Sequence, residues 1–277
     1  MHDVLGILTT DRGEEFYMIA TFPNPGSIYF DDPSVRDQFG ELQTEAVPKI
    51  LETIRGVNGC TYEPGKGEKA PTPVGQTAPD SRQAIVIGVS EYNGQYYSSL
   101  SLEEWNGSDW ETVYYDIPAA IGSNGTTSNK REGDHCTPSG TFNILFCFSD
   151  QALDTNLRQK YITEGDVWVT DQSSRYYNTI QPDSAGYKDW SKSENIYRQF
   201  TSGRSYAGIL FDYNGDGESA DSATPGAGAA LFLDGIGSGG DLYTGYGDIK
   251  ISESDMKRLL KVLDQSLNPT IIIRDAD

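Results

Sequence analysis

A run of prolines and glycines between residues 62 and 79 divides this chain of 277 residues. The segment holds four prolines and three glycines. Proline lacks a backbone donor and glycine is conformationally loose, so neither a regular helix nor a strand is expected there. We therefore expect a small N-terminal unit at residues 1–60, a linker at 61–80 and a larger domain at 81–277, which is long enough to bury a core of its own.

The unit before the linker is predicted to be a small α/β unit. Residues 4–8 and 15–21 have the composition of short strands. Asp32 precedes a proline, which is a favoured start for a helix, and Pro48 should interrupt that helix. Its apolar stripe recurs at spacings of three and four residues, at Val35, Phe39, Leu42, Ala46, Ile50 and Ile54.

The part after the linker is predicted to be mainly β with a few helices. Residues 96–105 and 110–115 flank Asn106-Gly-Ser-Asp109, a strong hairpin signal. A helix should begin after Ser252, whose side chain can cap it while Asp255 reciprocates. Its inner face is Met256, Leu259, Leu260 and Leu263, and Asn268-Pro269 should end it. Further strands are expected at 84–89, 141–148, 167–169, 208–213, 229–233 and 270–274.

The charge of the chain restricts its partners. It carries 41 acidic and 21 basic residues, for a net charge of −20. A polyanion would be repelled, so neither nucleic acid nor an anionic membrane surface is expected to bind. No stretch approaches the roughly 18 apolar residues of a membrane span, so membrane insertion is not expected. The first residues lack the basic and apolar regions of a secretion signal.

Few side chains of the chain suit a metal centre. Cys60, Cys136 and Cys147 are not spaced as zinc ligands, and His2 and His135 are the only histidines. A zinc site is therefore not expected, and no cofactor is required by this pattern.

One motif does point to calcium. Asp212-Tyr-Asn-Gly-Asp-Gly-Glu218 places oxygen ligands at alternate positions with glycine at the sixth, as a calcium loop begins. Ala223 stands where the bidentate glutamate of such a loop belongs, so an acidic turn between strands is the alternative. The candidate ligands are Asp212, Asn214, Asp216 and Glu218.

Five segments of the larger domain form a recognisable series. They are Arg131-Glu-Gly-Asp-His-Cys-Thr-Pro-Ser-Gly-Thr-Phe142, Asp166-Val-Trp-Val169, Tyr176-Tyr-Asn178, Gly226-Ala-Gly-Ala-Ala-Leu-Phe-Leu233 and Gly247-Asp-Ile-Lys-Ile-Ser-Glu-Ser-Asp-Met256. In order and spacing they resemble the catalytic domain of the L,D-transpeptidases, which cross-link bacterial peptidoglycan. The resemblance covers about two thirds of the chain. It implies a β-sandwich-like fold, an extracellular or cell-envelope location, and peptidoglycan or muropeptides as partners.

The two reactive positions of that family hold other residues here. Its members place a histidine after the Phe-Leu of the fourth segment and a cysteine after the glycine of the fifth, and a thiolate activated by a base attacks the peptide carbonyl. Those positions hold Asp234 and Asp248, while Lys250 stands where some members have arginine. An alternative alignment moves the cysteine position to Gly247. The resemblance also implies contacts with substrate, at Thr137, Tyr246 and Gly247.

The nucleophile could have moved to the neighbouring motif. His135 and Cys136 are adjacent there, but neighbours on an extended segment point to opposite faces, which disfavours a hydrogen-bonded pair. The alternatives are a half-buried cysteine or a disulfide between Cys136 and Cys147.

The two aspartates could also act together. Asp234 and Asp248 should lie close to each other if the fold is that of the family. Paired carboxyl groups can divide acid and base roles when their pKa values differ. They can equally bind a cation or be what remains of a lost site.

Three functions follow from these alternatives. The chain is expected to be a catalytically inactive relative of the L,D-transpeptidases that binds peptidoglycan or serves as a structural envelope module. The second hypothesis is an active transpeptidase or hydrolase of altered mechanism, through Cys136 or the Asp234/Asp248 pair. The third is a surface-assembly protein in which residues 1–60 make the contacts between copies.

Overall fold

The computed structural model describes residues 2–9, 15–22, 61–62, 81–92, 94–107, 109–240 and 245–275. The chain divides into two compact units, Met1–Pro71 and Thr72–Asp277. No helix within these described ranges is long and apolar enough to span a membrane.

The N-terminal unit contains a three-stranded sheet. Its strands are β1 (His2–Thr9), β2 (Glu15–Phe22) and β3 (Thr61–Tyr62). β1 is central and pairs antiparallel with both neighbours. The two strands predicted here are confirmed, while the predicted helix after Asp32 and most of the linker lie outside the described residues.

The larger unit is mainly β, as predicted. Its strands are β4 (Gln83–Tyr92), β5 (Gln95–Trp105), β6 (Trp110–Ala119), β7 (Thr126–Thr127), β8 (Thr137–Pro138), β9 (Gly140–Ser149), β10 (Gln159–Tyr161), β11 (Asp166–Val169), β12 (Ile180–Pro182), β13 (Ser193–Glu194), β14 (Ser205–Phe211), β15 (Phe232–Ile236), β16 (Ile249–Ser252) and β17 (Thr270–Ile273). Its helices are α1 (Ile196–Thr201) and α2 (Glu253–Val262), with 3-10 turns at Asp212–Asn214 and Gln265–Leu267.

Nine of the strands in the described ranges form one mixed sheet. Eight of them follow the order β16-β15-β14-β9-β17-β4-β5-β6, and β10 pairs with β9. The predicted hairpin is confirmed as β5 and β6, which pair antiparallel up to Trp105 and Trp110. Those two indole rings meet edge to face with centroids 5.7 Å apart, a favoured geometry for an aromatic pair. Two smaller sheets, β12-β11-β13 and β7-β8, are separate from the main sheet.

The two ends of this strand order meet. Ala120, directly after β6, exchanges two backbone hydrogen bonds with Lys250 of β16, at 2.9 and 2.8 Å. Beyond them, the Gly245 amide donates to the Ile121 carbonyl at 3.1 Å, and the Ser123 amide donates to the Gly245 carbonyl at 3.2 Å. The sheet therefore curls until its edges touch. We call residues 120–123 and 245–250, together with Asp234 of β15, which pairs with Lys250, the seam.

Helix α2 covers part of the core, as its sequence predicts. The Ser252 hydroxyl accepts the Asp255 amide at 3.1 Å, and the same hydroxyl lies 2.6 Å from the Asp255 carboxylate. The predicted inner face is buried, at Met256, Leu259, Leu260 and Leu263. The helix ends at Val262, earlier than predicted, since a 3-10 turn intervenes before Asn268 adopts a left-handed φ of 49°.

Some strand boundaries differ from the prediction. The strand expected at 208–213 ends at Phe211, because a 3-10 turn begins at Asp212. The strand expected at 229–233 begins only at Phe232. Ala230 has a φ of 56°, which an extended strand cannot contain. Its amide donates to the Asn178 side chain at 2.8 Å instead of to a neighbouring strand.

Candidate functional site

The pairing of β15 with β16 brings together the last two segments of the motif series. Asp234 of β15 and Lys250 of β16 are directly paired on parallel strands. Asp248 immediately precedes β16, and its Oδ2 lies 3.8 Å from Lys250 Nζ. The charges of Asp248 and Lys250 both act on the Asp234 carboxyl. The structure therefore groups Lys250 with the two residues that the sequence placed at the reactive positions.

Asp234 is a buried carboxyl with one oxygen left unpaired. The residue is 7% exposed, and its Oδ2 accepts the Ser205 hydroxyl at 3.1 Å. Oδ1 has no hydrogen-bond partner among the described residues. Burial and, to a smaller extent, the charge of Asp248 raise the pKa of Asp234, Ser205 and Lys250 oppose the shift, and the resulting pKa is about 7. Near neutral pH this carboxyl can therefore donate a proton when it is protonated and accept one when it is ionised.

Asp248 is held within its own turn. Its Oδ1 accepts the Tyr246 amide at 3.1 Å. Gly247 has a φ of 133°, and a Cβ there would lie 2.5 Å from the Cys136 carbonyl oxygen. A Cβ on Gly245 would collide with the Asp248 carboxylate itself. The turn thus needs both glycines, which let Asp248 fold back against the backbone.

An aromatic contact joins the turn to the first motif segment. Tyr246 is 78% exposed, and its ring meets the His135 ring edge to face with centroids 5.0 Å apart. From its sequence this segment is expected to be extended. That expectation is wrong at His135, whose φ is 59°. Tyr246 is the predicted substrate contact that is open to a ligand.

A buried ion pair fixes the loop that carries His135. The Lys130 side chain is 2% exposed, and its Nζ donates to Asp134 Oδ1 at 2.5 Å and to the Arg131 carbonyl at 2.9 Å. Asp134 also accepts the Arg131 and Cys136 amides, at 2.6 and 2.9 Å. Burial alone would raise the pKa of Asp134, but these bonds hold it below its usual value. Lys130 is therefore committed to structure.

Cys136 does not form a catalytic pair with His135. Its Sγ lies 3.5 Å from the Asn124 carbonyl oxygen and 3.6 Å from that of Asp134, whereas the imidazole packs on Tyr246. Burial and the charge of Asp134 raise the pKa of the Cys136 thiol. A raised pKa reduces the thiolate fraction, which is the reactive form.

The alternative of a Cys136–Cys147 disulfide is wrong. Both cysteines are free. Cys147 lies in the core on β9, opposite Ile209, and burial raises the pKa of its thiol to about 11. Cys136 belongs to the loop beside the seam, so the two sulfurs occupy different parts of the fold.

Thr137 supports the seam and is closed to substrate. It is fully buried, and its hydroxyl accepts the Gly122 amide at 2.9 Å. A Cβ on Gly122 would collide with the His135 carbonyl. The threonine therefore aligns the first motif segment with the seam, a structural role that replaces the predicted contact with substrate.

Two further carboxylates that the sequence did not single out act on the same region. The Tyr177 hydroxyl, on a buried ring, donates to Glu132 Oε2 at 2.8 Å. Glu194 is exposed as a residue, yet burial around its carboxyl and the charges of Glu132 and Asp248 raise its pKa. Glu132 lies within the first motif segment and could have been noticed. Glu194 belongs to no motif segment, and only the fold brings its charge near Asp248.

The remaining motif segments form a buried polar network. Asn178, with a φ of 60°, accepts the Trp168 indole N–H and the Ala230 amide, both at 2.8 Å, and donates to the Asn214 carbonyl at 2.6 Å. The network joins the second, third and fourth segments to the turn at Asn214. It orients the chain entering β15, which carries Asp234.

The predicted calcium ligands are each used within the protein. Asp212 accepts the backbone amide and the side-chain amide of Asn143, both at 2.7 Å. The other three bind elsewhere: Asn214 to residues 224 and 228, Asp216 to the amides of residues 218 and 219, and Glu218 to residues 158 and 160. The described part of the chain contains no group of three or more His, Cys, Asp or Glu side chains placed to hold a metal. The calcium prediction gains no support.

Comparison of the chain with known families, with characterised proteins and with solved structures found no match in any of the three. What the seam can do chemically therefore follows from its own residues. These are a buried carboxyl that can exchange a proton near neutral pH, a second carboxylate beside a lysine, and an exposed aromatic ring.

Proposed function

We propose that the larger unit is a peptidoglycan-binding relative of the L,D-transpeptidases that works in the cell envelope without a catalytic thiol. One observation carries the proposal. The first motif segment, at His135, and Tyr246, which directly precedes the fifth segment, are more than a hundred residues apart, yet they meet at the seam, where Asp234 and Asp248 stand in the two reactive positions. A chance match of short motifs would not require them to converge in space.

The chemistry of the seam supports binding over acyl transfer. A thiolate attack needs a cysteine and a base in contact, and the seam offers carboxyl groups instead. Cys136 faces two carbonyls, and its pKa is raised. By contrast, Asp248, Lys250 and the exposed Tyr246 offer an acceptor, a donor and an aromatic surface for a peptide. A few polar groups beside an aromatic surface are what a ligand site needs.

The test is incubation of the purified chain with a mixed muropeptide pool, followed by mass spectrometry of both the solution and the material retained by the protein. We expect an unchanged pool with a retained fraction, and we expect Asp248→Asn to reduce retention. Glu164→Gln removes one exposed charge away from the seam and is the matched control. An unchanged pool with no retention would contradict the proposal.

A second candidate is acid–base turnover by the Asp234/Asp248 pair. It is favoured by the burial of Asp234, which raises its pKa to about 7 while Asp248 lies beside Lys250. The same experiment separates the two functions, because turnover would produce cleaved or cross-linked species in solution. Loss of those species in both Asp234→Asn and Asp248→Asn would assign the chemistry to the pair.

Assembly through the N-terminal unit stays a separate prediction. Concentration-dependent oligomers of the full chain, measured by sedimentation, should disappear when residues 1–60 are deleted. Oligomers that persist without those residues would move the contact to the larger unit.

A further inference from the structure

Lys250 has two carboxyl groups within its reach. It is directly paired with Asp234 on the parallel strands β15 and β16, and directly paired residues project from the same face of a sheet. Its Nζ is nevertheless turned toward Asp248, at 3.8 Å from Oδ2. A charge-assisted hydrogen bond between a lysine and a carboxylate is about 2.7–2.9 Å long. Lys250 is therefore held only weakly at Asp248.

The Asp234 carboxyl lacks a donor that its ionised form requires. Oδ2 accepts the Ser205 hydroxyl at 3.1 Å, whereas Oδ1 is buried without a hydrogen-bond partner among the described residues. A buried charge is costly unless it is paired and hydrogen-bonded, and the cost is much smaller for a neutral group. The contacts in the structure therefore fit the protonated form of Asp234. Ionisation would call for a second donor at Oδ1.

Lys250 is the cation placed to supply that donor. Phe232, two residues before Asp234, projects from the same face of β15. The elements that cover this face contribute aromatic rings, namely Phe148 from β9, Trp168 from β11 and Phe200 from α1. The charges that act on the Asp234 carboxyl are those of Lys250 and Asp248. An ionised Asp234 would thus attract Lys250 through an apolar environment, in which a charge pair interacts strongly.

The other charged groups around the seam do not compete for this role. Glu132 and Glu194 are acidic, and together with the charge of Asp248 burial raises the pKa of Glu194. Glu253, at the start of α2, is already paired with Lys257 at 2.6 Å. Across the described part of the seam, Asp234 and Asp248 therefore share one lysine.

We infer that Lys250 is a pH-dependent switch, which pairs with Asp248 while Asp234 is protonated and moves to Asp234 when that carboxyl ionises. The step releases one proton from Asp234 to solvent, and Lys250 keeps its charge throughout. The raised pKa of Asp234, about 7, places the change in the neutral range. The movement frees Asp248 to accept donors from a ligand. This last consequence rests on the proposed function, whereas the movement of Lys250 does not.

The movement is tested by an NMR titration of the full chain, labelled with carbon-13 in its lysine and aspartate side chains, between about pH 5 and pH 9. Lys250→Arg identifies the Lys250 signal. We expect that signal to shift with the same midpoint as Asp234 Cγ, and Asp234→Asn to abolish the shift. Lys188, in an exposed pair with Asp183, is the internal control and should not show this midpoint.

Nuclear Overhauser contacts report where the lysine lies. Contacts from Lys250 Hε to Asp248 Hβ should weaken above the midpoint, while contacts to Ser205 Hβ should appear. Unchanged contacts while Asp234 titrates would mean that another donor satisfies the carboxylate, and the inference would be overturned. A shift of Lys250 that persists in Asp234→Asn would overturn it as well.

Muropeptide retention over the same pH range tests the regulation. Retention should rise roughly two- to fivefold above the midpoint, as the release of one partly exposed ion pair predicts. Asp234→Asn should stay at the low-pH level throughout, and Asp154→Asn, at an exposed aspartate, should follow the parent. Thermal melting checks that each variant is folded.

The two measurements fail separately. Retention with the same pH profile in the parent and in Asp234→Asn would overturn the regulation. No retention at any pH would contradict the proposed function, and the regulation with it, while the NMR titration still decides whether Lys250 moves.

Discussion

Asp234 and Lys250 are directly paired residues on the parallel strands β15 and β16. The backbone register therefore fixes how the buried carboxyl and the lysine of the seam are placed. Asp248, two residues before Lys250, is held in the turn that leads into β16 by its contact with the Tyr246 amide. Because these positions are set by the sheet, changing a side chain should alter the chemistry of the seam without moving its backbone.

The first prediction concerns Asp234 and pH. An unfolded aspartate has a pKa of about 3.9, whereas burial raises the pKa of Asp234 to about 7 in the folded chain. Between these values the folded state holds a proton that the unfolded state has released. The contribution of the protonated Asp234 carboxyl to the free energy of unfolding is therefore fully present below about pH 4 and is lost as pH rises to about 7. An asparagine cannot ionise, so Asp234→Asn should not show this loss. Its free energy of unfolding should therefore rise by a few kcal/mol relative to that of the parent between pH 5 and pH 8.

Urea denaturation of both proteins at pH 5 and pH 8 measures this difference. Asp154→Asn, at an exposed aspartate, is the control and should follow the parent. If the free energies of unfolding of the parent and of Asp234→Asn changed in parallel between the two pH values, Asp234 would not titrate as described.

Much of the fold was predictable because local chemistry decides it. The Asn106-Gly turn between β5 and β6, and Ser252 at the start of α2, are signals that a short window contains. The closure of the sheet could not be predicted, since the Ala120–Lys250 bridge joins residues 130 positions apart through backbone groups that every residue has.

The candidate site was also predictable only where a short stretch of sequence contains the signal. Asp248 and Lys250 stand in the fifth motif segment and Asp234 directly follows the fourth, so the sequence singled them out before the structure grouped them. Glu194 has no motif, and the left-handed backbone at His135 directly follows Asp134, which pairs with the buried Lys130. Those effects arise from tertiary contacts, which a pattern in one segment does not contain.

The second prediction concerns that buried pair. Lys130→Met should destabilise the larger unit by about 1–3 kcal/mol, because Asp134 loses its charged partner but keeps the Arg131 and Cys136 amides as donors. Lys188→Met breaks an ion pair whose side chains are exposed, between Lys188 and Asp183, and should cost less than about 1 kcal/mol. Chemical denaturation of the two variants gives the comparison. Similar losses in both would mean that the buried pair contributes no more than a surface pair.

The third prediction concerns the Asn178 network. Asn178→Ala removes three hydrogen bonds and leaves the Trp168 indole and the Ala230 amide buried without their acceptor. We expect a loss of roughly 3 kcal/mol or more, since each unsatisfied buried group costs about 1–3 kcal/mol. Asn195→Ala removes only the cap of α1, whose side chain accepts the Arg198 amide, and should cost about 1 kcal/mol. A smaller loss for Asn178→Ala than for Asn195→Ala would show that the network is not tightly formed.

The last prediction concerns the effect of alanine on the turn at Gly247. Alanine at position 247 must adopt a φ of 133° and place its Cβ 2.5 Å from the Cys136 carbonyl oxygen. That backbone conformation is strained by about 1–3 kcal/mol for a residue other than glycine, and the collision adds to the cost. Gly186→Ala, at a position with no atom within 4 Å of the new Cβ, should change stability by less than about 0.5 kcal/mol.

The two alanine variants also test whether the turn matters for binding. If the Gly247 turn presents Tyr246 and Asp248 to a ligand, Gly247→Ala should reduce muropeptide retention even at a temperature where the variant remains folded. Gly186→Ala should retain muropeptides as the parent does. Thermal melting combined with the retention measurement distinguishes a displaced turn from general unfolding. Unchanged stability and retention in Gly247→Ala would show that the close approach of Gly247 to Cys136 is not required.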